Sequence, residues 1–180
     1  MQKFQLVLLL LIMLLLCAGC CAPITGKIVD VETGQPIEGA ILLVEWTKTH
    51  GFGNTYTTSE KVAEVFSDKD GVVKIPGYND PFVNKPDITI YKPGYVAWNN
   101  HWIFPDRRNR TDFEWKDGYV FRLERFKTEY TYRDHINFLY SAMSTGNIEQ
   151  KQLLYRAFEW ERINSNNEMK QLIEIQKLNK

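Results

Sequence analysis

ITGKIVDVETGQPIEGAILLVEW, residues 24 to 46, decides how this chain folds. Ile24, Gly26 and Ile28 alternate with Thr25 and Lys27, the period of two that marks a half-buried strand. Thr33-Gly34-Gln35-Pro36 then turns the chain, with Pro36 fixing φ at the crossover between Gly34 and Gly39. Gly39 to Trp46 is a second strand, apolar enough to be buried on both faces.

Downstream the same grammar repeats. Thr47 to Asn54 is a Gly-rich loop, and Thr55 to Thr58 extends one strand or begins another. Lys61 to Ser67 leads into Asp68-Lys69-Asp70-Gly71, and Val72 to Ile75 continues. That reads as a hairpin whose acidic turn uses Gly71 at positive φ. Asp87 to Tyr91 is a further strand, Lys92-Pro93-Gly94 turns with Gly94 at positive φ, Tyr95 to Trp98 continues, and Gly118 to Leu123 closes. About seven short strands with a turn signal roughly every ten residues predict a β-sandwich.

Four of these stretches, in order, resemble the carboxypeptidase regulatory-like domain. They are Ile24–Asp30 with Thr33–Ala40, then Ser67–Gly71 with Val73 and Ile75-Pro76-Gly77, then Lys92-Pro93-Gly94-Tyr95, and last Val120, Phe121 and Leu123. The resemblance covers residues 24 to about 126. It implies a mainly β, seven-stranded prealbumin-like (transthyretin-like) sandwich and a non-catalytic module. It does not extend to the tail.

After Lys127 the period changes to that of a helix. Thr131 with Asp134 is a capping box, and Ile136, Leu139, Tyr140 and Met143 follow at helical spacing up to Gly146. Asn147 caps a second helix through Leu153, Leu154, Ala157 and Phe158; Ser165 with Glu168 is a further capping box before Met169, Leu172 and Ile173. The expectation is a C-terminal α-helical extension of two or three helices over residues 128–180, packed against a sheet or edge. Glu159, Glu161 and Arg162 are expected on a solvated face.

Upstream, Lys3 precedes an unbroken apolar run from Leu6 to Leu16, and small residues follow. This is the layout of a secretory signal over residues 1–19, too short before Pro23 for a membrane-spanning helix. Cys17-Ala18-Gly19-Cys20 resembles the lipobox of bacterial lipoproteins, with Cys17 where that family usually has leucine. The resemblance implies that Cys20 is diacylated and becomes the mature N-terminus, with residues 20–23 as tether. The expected location is therefore the bacterial cell membrane, and the outer membrane in a Gram-negative cell. Two or more acyl chains hold a protein durably.

Composition narrows the function. Acidic and basic residues balance at 22 each, so no field draws in nucleic acid. The three cysteines are Cys17, Cys20 and Cys21, which leaves the body without disulfides or thiolate chemistry. His50, His101 and His135 lack ligand spacing, and Asp68-x-Asp70-Gly71 lacks the other oxygen ligands of a calcium loop. No metal, cofactor or catalytic residue is expected, and the chain is read as a non-enzyme. The unusual stretch is an aromatic and basic one: Tyr95, Trp98, His101, Trp102, Arg107, Arg108 and Arg110, followed by Trp115. Its functional reading is a binding loop for a glycan or protein partner. Its structural reading is a long connection whose tryptophans seal the sandwich. The expectation is an envelope binding or scaffolding module that works through protein contacts, with carbohydrate binding around Trp98–Trp115 as the alternative.

Overall fold

A computed structural model describes residues 23–78, 80–143 and 148–178. The expected signal segment, Cys20 and the Asn147 cap lie outside these. The opening alternation becomes β1 (Ile24–Asp30), and the doubly apolar run becomes β2 (Ile41–His50). Then come β3 (Tyr56–Phe66), β4 (Val72–Ile75), β5 (Asp87–Tyr91), β6 (Trp98–Asn99), β7 (Trp102–Ile103), β8 (Arg108–Asn109) and β9 (Tyr119–Leu123). One sheet has the order β4-β1-β9 and the other β3-β2-β5-β6, while β7 and β8 form a separate ribbon. Seven strands in two sheets match the expected sandwich.

Two helices follow: α1 (Tyr132–Ala142), and α2 (Gln152–Leu178) after a single 3-10 turn at Ile148–Gln150. Both lie on the outer face of the four-stranded sheet. This makes β2 the middle of three layers, which explains its composition. Leu42, Val44 and Trp46 face the first sheet, with Ile28, Val73, Ile88, Ile90 and Phe121. Ile41 and Leu43 face the helices, with Tyr91, Ile136, Phe138, Leu139, Leu154 and Phe158. Each of these fully buried side chains contributes roughly 1.5–3 kcal/mol relative to exposure.

Three local expectations change. The turn at Asp68–Gly71 is not a hairpin, because β3 pairs with β2 and β4 pairs with β1. The chain crosses between sheets there. Ser67 Oγ donates to the Ile37 carbonyl (2.7 Å), and the Asp68 carboxylate accepts from the Asp70 and Val72 amides. Gly71 has φ +74°, and a Cβ on it would lie 2.4 Å from the Ile28 oxygen. The true hairpin is β2–β3, whose strands run on to His50 and Tyr56; Glu60 is the extra residue of a bulge opposite Trp46 and Thr47. Finally, Ser165 starts no helix, because α2 runs through it unbroken.

Candidate functional site

The seam between helices and sheet is held by charge as well as by apolar packing. Lys151 Nζ donates to Glu45 Oε2 at 2.6 Å and to the Met143 carbonyl at 3.2 Å, and both side chains are buried. Glu161, expected in solvent, is instead wholly buried; Glu159 and Arg162 do form an exposed pair. Glu161 Oε1 accepts from the Tyr91 hydroxyl (3.0 Å) and faces His135 Nδ1 (3.1 Å). The Ala97 amide donates to His135 Nε2 at 2.8 Å. That bond assigns the imidazole proton to Nδ1, which therefore donates to Glu161. Burial, followed by the neighbouring Glu161 charge, pushes the Tyr91 hydroxyl far above its ordinary range. A glutamate, a histidine and a tyrosine in a row are the parts of acid–base chemistry. Here Nε2 is occupied by backbone and the group has no exposure, so no substrate reaches it. The cluster ties α1 and α2 to the sheet.

The helix ends are capped from a distance. Glu64 on β3 accepts from the Leu153 and Leu154 amides (2.9 and 2.8 Å), placing a carboxylate at the positive end of α2. Thr131 caps α1 as expected, accepting from the Asp134 amide, and Glu168 on α2 accepts from the Tyr132 amide. The Thr89 hydroxyl and Lys151 donate to the carbonyls at the other end of α1. Both helices are therefore parts of the body.

That arrangement leaves one face uncovered. At 1.5 Å per residue α2 is about 40 Å long and α1 about 16 Å. They run antiparallel, and α1 begins where Tyr132 meets Glu168 and Trp160. Residues after Glu168 extend past it. Leu172 lies eighteen residues, or five full turns, beyond buried Leu154, so it continues the same line on the helix. Yet Leu172 is 55% and Ile175 54% exposed, with Met169 and Ile173 also open. Beside them is a groove of about 630 Å³ lined by Thr131, Asp134, Asn137, Ser165, Leu172 and Ile175 among others. The residues were visible in the sequence, but their exposure depended on where α1 begins relative to α2.

The aromatic and basic stretch divides in two. Trp98 is core: it meets Phe121 and Phe113 edge-on, and the Arg110 guanidinium covers it at 4.6 Å. Arg110 is further held by the Asn99 carbonyl (2.7 Å) and Asp112. Trp115 packs partly buried against Trp46. The Tyr95 hydroxyl donates to Asp30. Outside stand Trp102, 41% exposed, His101 bonded to Asp87, Arg108 paired with Asp106, and Arg107, which reaches the Asn137 carbonyl of α1. Phe104, after the β7 strand, is buried against Tyr130, His135 and Phe138 and pins the loop to the helices. The eight candidates thus do not form one surface; Trp102 is the open indole among them.

No protein-family model matches the chain, and no curated protein does. Among solved structures it is similar to the shaft pilin SpaA of Lactobacillus rhamnosus GG, with 15% identity over 59% of this chain and 47% of that one, TM-score 0.34. A streptococcal ancillary pilin gives 16% over 59% and 30%, TM-score 0.31. The pilus 2b backbone protein of group B streptococcus gives 17% over 58% and 41%, TM-score 0.33. The chain spans less than half the length of each of these structures. At such TM-scores the similarity carries no argument about function.

Proposed function

We propose that this chain is an exported, lipid-anchored envelope module that holds another protein without catalysing a reaction. The resemblance of Cys17–Cys20 to a lipobox and that of the body to carboxypeptidase regulatory-like domains support the address and the class. The observation that carries the reading is the apolar continuation of α2 past α1, with Leu172 and Ile175 open beside a groove. A face that is core for three turns and then loses its partner fits an apolar helix from a second protein, packed ridge into groove.

The test is a photo-crosslinking residue at Gln171 in the tagged full-length protein, in cells, with Cys20→Ser and Leu172→Glu versions alongside. A defined adduct that disappears in both supports the reading. No adduct from Gln171 or its neighbours refutes it. The glycan alternative rests on Trp102, whose exposed ring lies opposite Asn109 in the β7–β8 ribbon. Co-purifying glycan that is lost on Trp102→Ala would favour it.

A further inference from the structure

One end of the sandwich gathers exposed aromatic side chains at the place where the chain arrives from Cys20. Ile24 pairs with Ile75, so the loop after β4 starts beside the beginning of β1. From that loop the Gly77 carbonyl accepts from Lys61, which pairs with Trp46 on β2. The Asn84 amide donates to the Thr47 carbonyl (2.8 Å). The start of β1, the tip of the β2–β3 hairpin and the loop carrying Phe82 therefore share one end. There Phe52 is fully exposed between two glycines, Phe82 is 74% exposed and Tyr56 is also open.

Reach decides what lies opposite. Cys20 precedes Ile24 by four residues, which span at most about 14 Å. From the Trp46–Lys61 pair, β2 runs four residues further to His50, about 13 Å. The hairpin tip thus extends about as far as the tether. Acyl chains on Cys20 would hold a bilayer within about 14 Å of Ile24, on the end of the sandwich that carries Phe52. Single exposed apolar residues need no explanation, but several on the end that faces the bilayer do. The charges there are Lys48, Lys61 and Lys85 against Glu60, Asp80 and Asp117, with Lys48 paired to Asp80 (3.7 Å) and Asp117 accepting from the Thr25 amide. They cancel, so contact does not depend on anionic lipid.

We propose that this end is a membrane-contacting face, with Phe52 and Phe82 seated in the interfacial layer of the bilayer and Tyr56 at headgroup level. The proposal rests on the lipid-anchor reading above. It also orients the molecule. α2 starts near Glu45, and its Glu161 meets Tyr91, which pairs with Ile41 at the far end of β2. The open Leu172 face then points away from the membrane, toward a partner.

The experiment uses full-length, cell-lipidated protein carrying Cys21→Ser and one added cysteine: Phe52→Cys, Phe82→Cys or, at the opposite end, Lys69→Cys. Each is labelled with an environment-sensitive fluorophore and reconstituted into phosphatidylcholine vesicles. Emission from positions 52 and 82 is expected to shift to the blue and to be quenched several-fold more by lipid-borne spin label than emission from position 69. Molar salt leaves the result unchanged. Protein that floats with vesicles but shows equal, weak quenching at all three positions overturns the membrane face and leaves the anchor standing. Protein that does not float overturns both.

Discussion

Replacing Lys151 by methionine removes the ammonium and keeps most of the apolar stem. It leaves the Glu45 carboxylate, buried beneath the helices, without its 2.6 Å partner. It also frees the Met143 carbonyl at the end of α1. Breaking one side of a buried pair costs about 3–5 kcal/mol, because the remaining charge must be solvated or neutralised. Replacing both partners with apolar residues is often close to neutral. The expected outcome is a loss of about 3–5 kcal/mol in urea unfolding at pH 7 for Lys151→Met, with most of it restored in Glu45→Leu/Lys151→Met. Hydrogen exchange locates the damage: α1 and α2 amides lose protection first, and β1, β2 and β9 keep theirs. A Lys151→Met protein within about 1 kcal/mol of the parent, with helices still protected, would refute the claim that this pair fastens them.

Two further predictions concern the sandwich. Asp30 accepts from the Thr33 and Glu32 amides, from Arg125 (2.7 Å) and from the Tyr95 hydroxyl. The Thr33 amide leads these effects, against a cost from burial, and holds the carboxyl down at about 2. Because the folded value is depressed, the linked stability is fully present above about pH 4 and is lost as pH falls toward 2. Asp30→Asn is expected to cost about 1–2 kcal/mol at pH 7, reduced by the exposure of Arg125, and to flatten the acid limb of a stability–pH titration. Gly71→Ala forces φ +74° on an L-residue and drives its Cβ into the Ile28 oxygen. A loss of at least ~2 kcal/mol in chemical unfolding is expected, and an unchanged midpoint would contradict the crossing described.

The strands were legible because β1, β2 and β5 carry their periods in short local runs. The sheet to which a strand belongs is not local. Val72–Ile75 looks like the return arm of a hairpin, yet it joins β1, since Ser67 and Asp68 turn the chain across the sandwich. Glu161 shows the same limit. Its helical position reads as polar surface, and only Tyr91 and His135, far away in sequence, make burial tolerable. Glu168 looks like the partner of Ser165 in a capping box but caps Tyr132. Of the candidate loop, the aromatic richness was plain, but which rings face inward depended on Phe113, Phe121 and Trp46.

The parallel pairing of β1 with β9 sets an order of events for the chain. Ile28 lies opposite Phe121, ninety-three residues later, and closing a loop of that length costs about 4 kcal/mol before any contact rewards it. β1 is the central strand of its sheet, so until Tyr119–Leu123 is available it has an open edge. A chain emerging N-terminus first delivers β1 at the outset and its last partner only after about two-thirds of its length. The three-stranded sheet can complete itself only once Leu123 is available, about two-thirds of the way along the chain. Interrupted or truncated molecules would display that unpaired edge to one another.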